Sequence, residues 1–86
     1  SSAASDVYKR QTMITPREIY LCALAHHAVS IILLHNHPSG NPSPSREDIL
    51  LTRRVKESGE LLGIELLDHI IIGDQSAVSF RREHLL

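Results

Sequence analysis

Polar and apolar positions along this 86-residue chain follow different rhythms in successive stretches, and each rhythm predicts a different element. Residues 1–11 are small, polar and aperiodic, and read as a disordered or foreign leader. The pattern changes at Thr15. That residue suits a helix N-cap, Pro16 suits the first helical position, and Glu18 stands three residues after Thr15 as in a capping box. Ile19, Tyr20, Ala23, Leu24 and His27 then fall on one helical face. Val29 to Leu34 is a continuous, β-branched-rich run. It predicts a strand covered on both faces and central in a sheet.

A loop rich in Pro, Gly and Ser follows, and helical spacing resumes at Ser45. Ser45-x-x-Asp48 has the spacing of a capping box, with Asp in the place more often held by Glu. Leu51, Val55, Ser58 and Leu62 share a face, Arg53, Arg54, Lys56 and Glu57 mostly face water, and Gly63 ends the helix. Ile64 to Ile72 is a second strand, interrupted by Glu65 and Asp68-His69. Gly73-Asp74 makes a turn, Ala77 to Phe80 a short return strand, and Arg81 to Leu86 a closing helical turn. There are no repeats, and residues 12–86 form one domain.

Composition changes this picture little. With two Tyr and one Phe, the core is built from Leu, Ile, Val and Ala. A net charge of −1 and a pI near 6.6 give this segment no electrostatic pull on nucleic acid or on an anionic membrane. The single cysteine, Cys22, lies in an apolar helical run and packs as a small hydrophobe. The longest apolar stretch is far short of a membrane span, no signal-peptide pattern opens the chain, and no disulfide framework is present. A cytoplasmic location is expected.

The chemistry is concentrated between the first strand and the second helix. His35 and His37 stand two apart at the strand end, where alternate residues point the same way, and Asp48 follows eleven residues later. Pro38, Gly40, Pro42 and Pro44 make the intervening loop tight and stiff enough to fold Asp48 back toward the histidines. Two imidazoles and one carboxylate are the ligand set a hydrolytic zinc ion uses while keeping a position for water. Ser45, one helical turn before Asp48, is placed to donate a hydrogen bond to a developing oxyanion. The plainer alternative is two polar residues closing a strand and an aspartate capping a helix.

The run His35-Asn-His37-Pro38-x-Gly40-x4-Ser45-x-x-Asp48 resembles the JAMM motif of the JAB/MPN metalloprotease superfamily. With Pro16-Arg17-Glu18, His35-Asn-His-Pro-Ser-Gly40 and Leu67-Asp68-His69, the chain from Thr12 to Leu86 is similar to the bacterial RadC branch, often called a DNA repair protein. The resemblance implies an α/β fold: a mixed β-sheet flanked by helices, of the JAB/MPN, cytidine-deaminase-like kind, of which this chain carries the C-terminal portion. It implies Zn2+ held by His35, His37 and Asp48, with Ser45 steadying the tetrahedral intermediate. The superfamily's general acid/base is a glutamate well upstream of the His-x-His, and the segment that would carry it precedes Thr12. Glu18 belongs to the helix start and is not assigned that role.

Other residues weigh less. His69 follows Asp68 on a strand, as a structural residue or one that supports metal ligands rather than as a ligand itself. His26 and His27 end a helix, and His84 lies on the surface. Three functions compete: a zinc-dependent hydrolase of amide or isopeptide bonds acting on a peptide or protein, a non-catalytic metal-containing module in DNA repair or replication restart, and a metal-dependent nuclease. The third sits poorly with the pI, since this segment would bind nucleic acid only weakly.

Overall fold

The computed structural model describes residues 14–86. The leader of residues 1–11 lies outside them. The elements run in the order α1 (Pro16–Ala25), β1 (Ser30–Asn36), α2 (Arg46–Leu62), β2 (Glu65–Ile72) and β3 (Ala77–Ser79). The sheet has the order β1-β2-β3 and is mixed, with β1 parallel to β2 and β3 antiparallel to β2. Parallel neighbours need a long connection, and α2 supplies it.

Local sequence explains both helix starts. Thr15 accepts a hydrogen bond from the Glu18 backbone N–H while the Glu18 side chain accepts from the Thr15 backbone, which closes the box at α1. Ser45 and Asp48 do the same at α2, and Gly63 ends that helix in the left-handed conformation. α1 stops earlier than its apolar spacing suggests. His26 is its C-cap and His27 turns to a φ of 54°. Leu24 and His27 are therefore exposed, and the buried face of α1 is Ile19, Tyr20 and Ala23 alone.

Both helices pack on one face of the sheet. Ile19, Tyr20, Ala23, Val55, Ile64 and Leu66 form the core, with Ile31, Leu33 and Leu51 packed against it. The contact between α1 and α2 is close at Gly59, where a Cβ would lie 2.2 Å from the Ile64 carbonyl oxygen and 2.5 Å from the Tyr20 hydroxyl. Tyr20 donates from there to the Val55 carbonyl at 2.6 Å. The aromatic residues thus matter more to the interior than their number suggests, since Tyr20 and Phe80 are both buried.

Two expectations need correction. β1 lies at an edge of the sheet among the described residues, and β2 is the central strand. Ile32 and Leu34 are 53% and 68% exposed, because α1 and α2 cover only the face that carries Ile31 and Leu33. A continuous apolar run does not say how many of its faces are covered. The buried stripe of α2 is Asp48, Thr52, Val55 and Gly59 rather than one running to Leu62, which is 49% exposed. The helix is rotated toward two polar side chains whose hydrogen bonds are satisfied inside, and toward the glycine that admits Tyr20.

Candidate metal centre

β1 delivers His35 from its last turn of extended chain, and the backbone continues that geometry into His37, whose N–H donates to the Ile72 carbonyl at 3.0 Å. In the parallel register His35 stands beside Ile71 and Leu33 beside His69, so His35 points to the face that α2 covers. The first turn of α2 brings Asp48 to the same place. His35 Nδ1 lies 3.1 Å from Asp48 Oδ1, and His37 Nε2 lies 2.9 Å from Asp48 Oδ2. One ligand atom from each of the three residues falls within 4.8 Å of the others, a set able to hold a metal ion.

The donor chemistry fits such an ion. His37 Nδ1 is 2.8 Å from the Asn41 carbonyl oxygen, which only accepts, so Nδ1 carries the proton there. In the neutral ring Nε2 is then a lone pair, and it faces a carboxylate oxygen at 2.9 Å. Two acceptors at that separation repel unless a positive charge lies between them, as a proton on Nε2 or as a cation bound to both. Tetrahedral zinc ligands about 2.0–2.1 Å from the ion stand about 3.3 Å apart; the two histidine–carboxylate distances are near this, while the donor atoms as a set lie within 4.8 Å of one another. The His35 side chain is 41% exposed and that of Asp48 only 6%, so the set is open on one side and walled on the other.

Ser45 sits at the N-cap beside this group. Its backbone N–H donates to Asp48 Oδ2 at 2.8 Å, and its Oγ accepts from the Asp48 N–H at 3.1 Å. Burial alone would raise the Asp48 carboxyl. The hydrogen bonds from the Ser45 backbone and side chain, together with the attraction of His37 and His35 when those rings carry a second proton, outweigh it and hold the carboxyl below its ordinary value. Asp48 is therefore a carboxylate at neutral pH, the form that binds metal.

Of the remaining histidines, His26, His27 and His84 stay outside the group, at the end of α1 and in the C-terminal turn. Glu18 is engaged in the capping box of α1. Arg53 and Arg54 face solvent. Cys22 is half-buried, with its sulfur 3.8 Å from His26 Nδ1. His69, expected to be structural or to support the ligands, is outside the donor group. It is 1% exposed, and burial foremost lowers its pKa to about 4 despite the opposing pull of Asp48, so it is neutral inside the protein. Its partner Thr52 was not flagged by the apolar pattern, which leaves a threonine on a helix unmarked.

The fold and the site together define an α/β domain whose strand end, loop and helix start converge on a His-His-Asp set able to hold a metal ion. The comparisons make it specific: residues 4–85 match the RadC-like JAB domain family, and the chain belongs to that family. A UPF0758 protein of Bacillus licheniformis is 59% identical over 75 residues, covering 87% of this chain and 34% of that protein. One from Geotalea uraniireducens is 59% identical over 70 residues, covering 81% and 31%. One from Methanosarcina mazei is 54% identical over 72 residues, covering 84% and 31%. The chain thus spans about a third of the length of the curated relatives it matches. Among the described residues, no helix is long and apolar enough to cross a membrane.

Proposed function

We propose that this chain carries the metal centre of a zinc-dependent hydrolase of the JAMM type, acting on amide or isopeptide bonds of a peptide or protein. The observation that supports it is the convergence of His35, His37 and Asp48 with a protonated His37 Nδ1 and an ionised Asp48. Two neutral imidazoles and one carboxylate leave a bound zinc ion a net positive charge, which lowers the pKa of a coordinated water toward neutrality.

The chain's own residues have separate tasks. The Asn41 backbone carbonyl fixes the His37 ring by accepting a hydrogen bond from its Nδ1–H. Ser45 holds the Asp48 carboxylate in place from its backbone N–H. The Ser45 hydroxyl, at the N-cap of α2, is the group we assign to a developing oxyanion. Substrate approaches on the open side, where His35 meets solvent. Proton transfer is assigned to the upstream glutamate that the family resemblance implies. Replacing His37 by Ala and measuring zinc by elemental analysis tests the centre. Loss of the metal is expected, and retention of a full equivalent would falsify the assignment.

A second reading is a non-catalytic metal-containing module that serves DNA repair or replication restart. A His-His-Asp group can hold a metal ion whether or not a reaction follows at it, and this supports it. A full-length relative with its metal intact separates the two when presented with a library of peptides and isopeptide-linked conjugates. Cleavage of any member removes the second reading, and no turnover on any member removes the first.

A further inference from the structure

Thr52 and His69 are each 1% exposed and neither belongs to the donor set. Burying a hydroxyl and an imidazole is costly compared with an apolar pair of similar shape, even when both are hydrogen-bonded. Their bonds lead to the metal centre. The Thr52 hydroxyl donates to the Asp48 backbone carbonyl at 2.8 Å. Its oxygen therefore accepts at the 2.6 Å contact with His69, and the ring proton sits on Nδ1. A directional chain results, running from the His69 Nδ1–H to the Thr52 oxygen and from the Thr52 hydroxyl to the Asp48 carbonyl.

The ring of His69 is held in turn. It stacks on Phe80 with centroids 4.6 Å apart and 19° between planes, and on its other neighbour His35 at 6.0 Å and 22°. Phe80 is fully buried, so the stack has a fixed floor. One side chain of the central strand thus touches both the ring of His35 and, through Thr52, the first turn of α2.

We propose that Thr52 and His69 are positioning residues for the metal centre, setting the rotation of the first turn of α2 and the plane of the His35 ring without touching the metal. This rests on the metal reading above. Thr52 lies one helical turn after Asp48, so its bond to the Asp48 carbonyl resists rotation of the residue that supplies the carboxylate. Partners of this outer kind commonly hold ten- to hundredfold in metal affinity.

The experiment compares Thr52→Val, which keeps the shape and removes the hydroxyl, with Thr52→Ser, which restores it. Zinc affinity is measured by competition with a chromogenic chelator, and the visible spectrum is recorded with cobalt(II) in place of zinc. Thr52→Val is expected to lose about ten- to hundredfold in zinc affinity and to shift the cobalt(II) bands. Thr52→Ser is expected to recover both. A purely structural role would lower the melting temperature of Thr52→Val and leave its cobalt(II) spectrum and zinc affinity as in the parent chain, and that result overturns the proposal. Should circular dichroism show Thr52→Val unfolded, Thr52→Ala replaces it with the same readouts and the same deciding outcomes. A parent chain that takes up neither ion overturns the metal reading itself, and this proposal with it.

Discussion

The Asp48 carboxylate closes the capping box of α2 through Oδ2 and meets both histidines with its two oxygens. Asp48→Asn separates these roles, because an amide oxygen can still accept from the Ser45 N–H while the charge is lost. The cap bond, about 1 kcal/mol, is kept, but folding holds this carboxyl below its ordinary value, so losing the charge should lower the melting temperature at pH 7, and zinc uptake is compared where circular dichroism reports both chains folded. Metal uptake should fall by more than about a hundredfold, beyond what an outer partner contributes. A titration showing parent-like zinc affinity in this variant would remove Asp48 from the ligand set. At this scale His35, His37, Ser45 and Asp48 were legible, because strand alternation and capping spacing are local rules. The Thr52–His69 contact was not, since it joins positions 17 apart across strand-on-helix packing. The one available hint was a polar Asp68-His69 pair breaking an apolar strand. Nothing in the pattern marked Thr52.

Between elements, the loop from His37 to Ser45 rests on the turn between β2 and β3. The Gly40 N–H donates to the His37 carbonyl at 3.0 Å, and the Asp74 N–H donates to the Gly40 carbonyl at 2.9 Å. Gly40 has a φ of +85°, and a Cβ there would lie 2.3 Å from Asp74 Oδ2. A side chain is thus opposed by the backbone conformation, and it would also push the exposed Asp74 carboxylate aside. Gly40→Ala should cost about 1 kcal/mol or more in stability. It should weaken zinc binding further at a temperature where circular dichroism still reports the parent fold, because the strain is relieved by moving the loop that carries His37. Equal zinc affinity in variant and parent would show the loop and the donor set to be uncoupled. The ends of α2 were readable from Ser45, Asp48 and Gly63, whose roles depend only on near neighbours. The covered face of β1 and the rotation of α2 were not, since both depend on where α1 docks.

Across the whole molecule, the C-terminal segment is tied to the sheet at Asp68. One carboxylate oxygen accepts from the His69 N–H at 2.7 Å and the Arg81 N–H at 3.0 Å, and the other accepts from the Ser79 hydroxyl at 2.6 Å. Phe80 lies between those partners and floors the ring stack beneath His35. Burial alone would raise the Asp68 carboxyl. The Ser79 hydroxyl, the Arg81 and His69 backbone N–H groups and the Arg81 charge outweigh it, so the folded value lies below the ordinary one. A carboxyl lowered by folding adds stability that is fully present above its unfolded pKa of about 3.9 and is lost as pH falls through the folded value. Asp68→Asn should therefore unfold at lower urea than the parent at pH 7. The gap between their midpoints should narrow as pH falls below about 4, where the parent carboxyl takes up its proton. Comparing the two curves cancels the titration of Asp48 and the other acids common to both. A gap that stays constant down to pH 2 would mean that the charge on Asp68 contributes nothing to holding the C-terminal segment against the sheet.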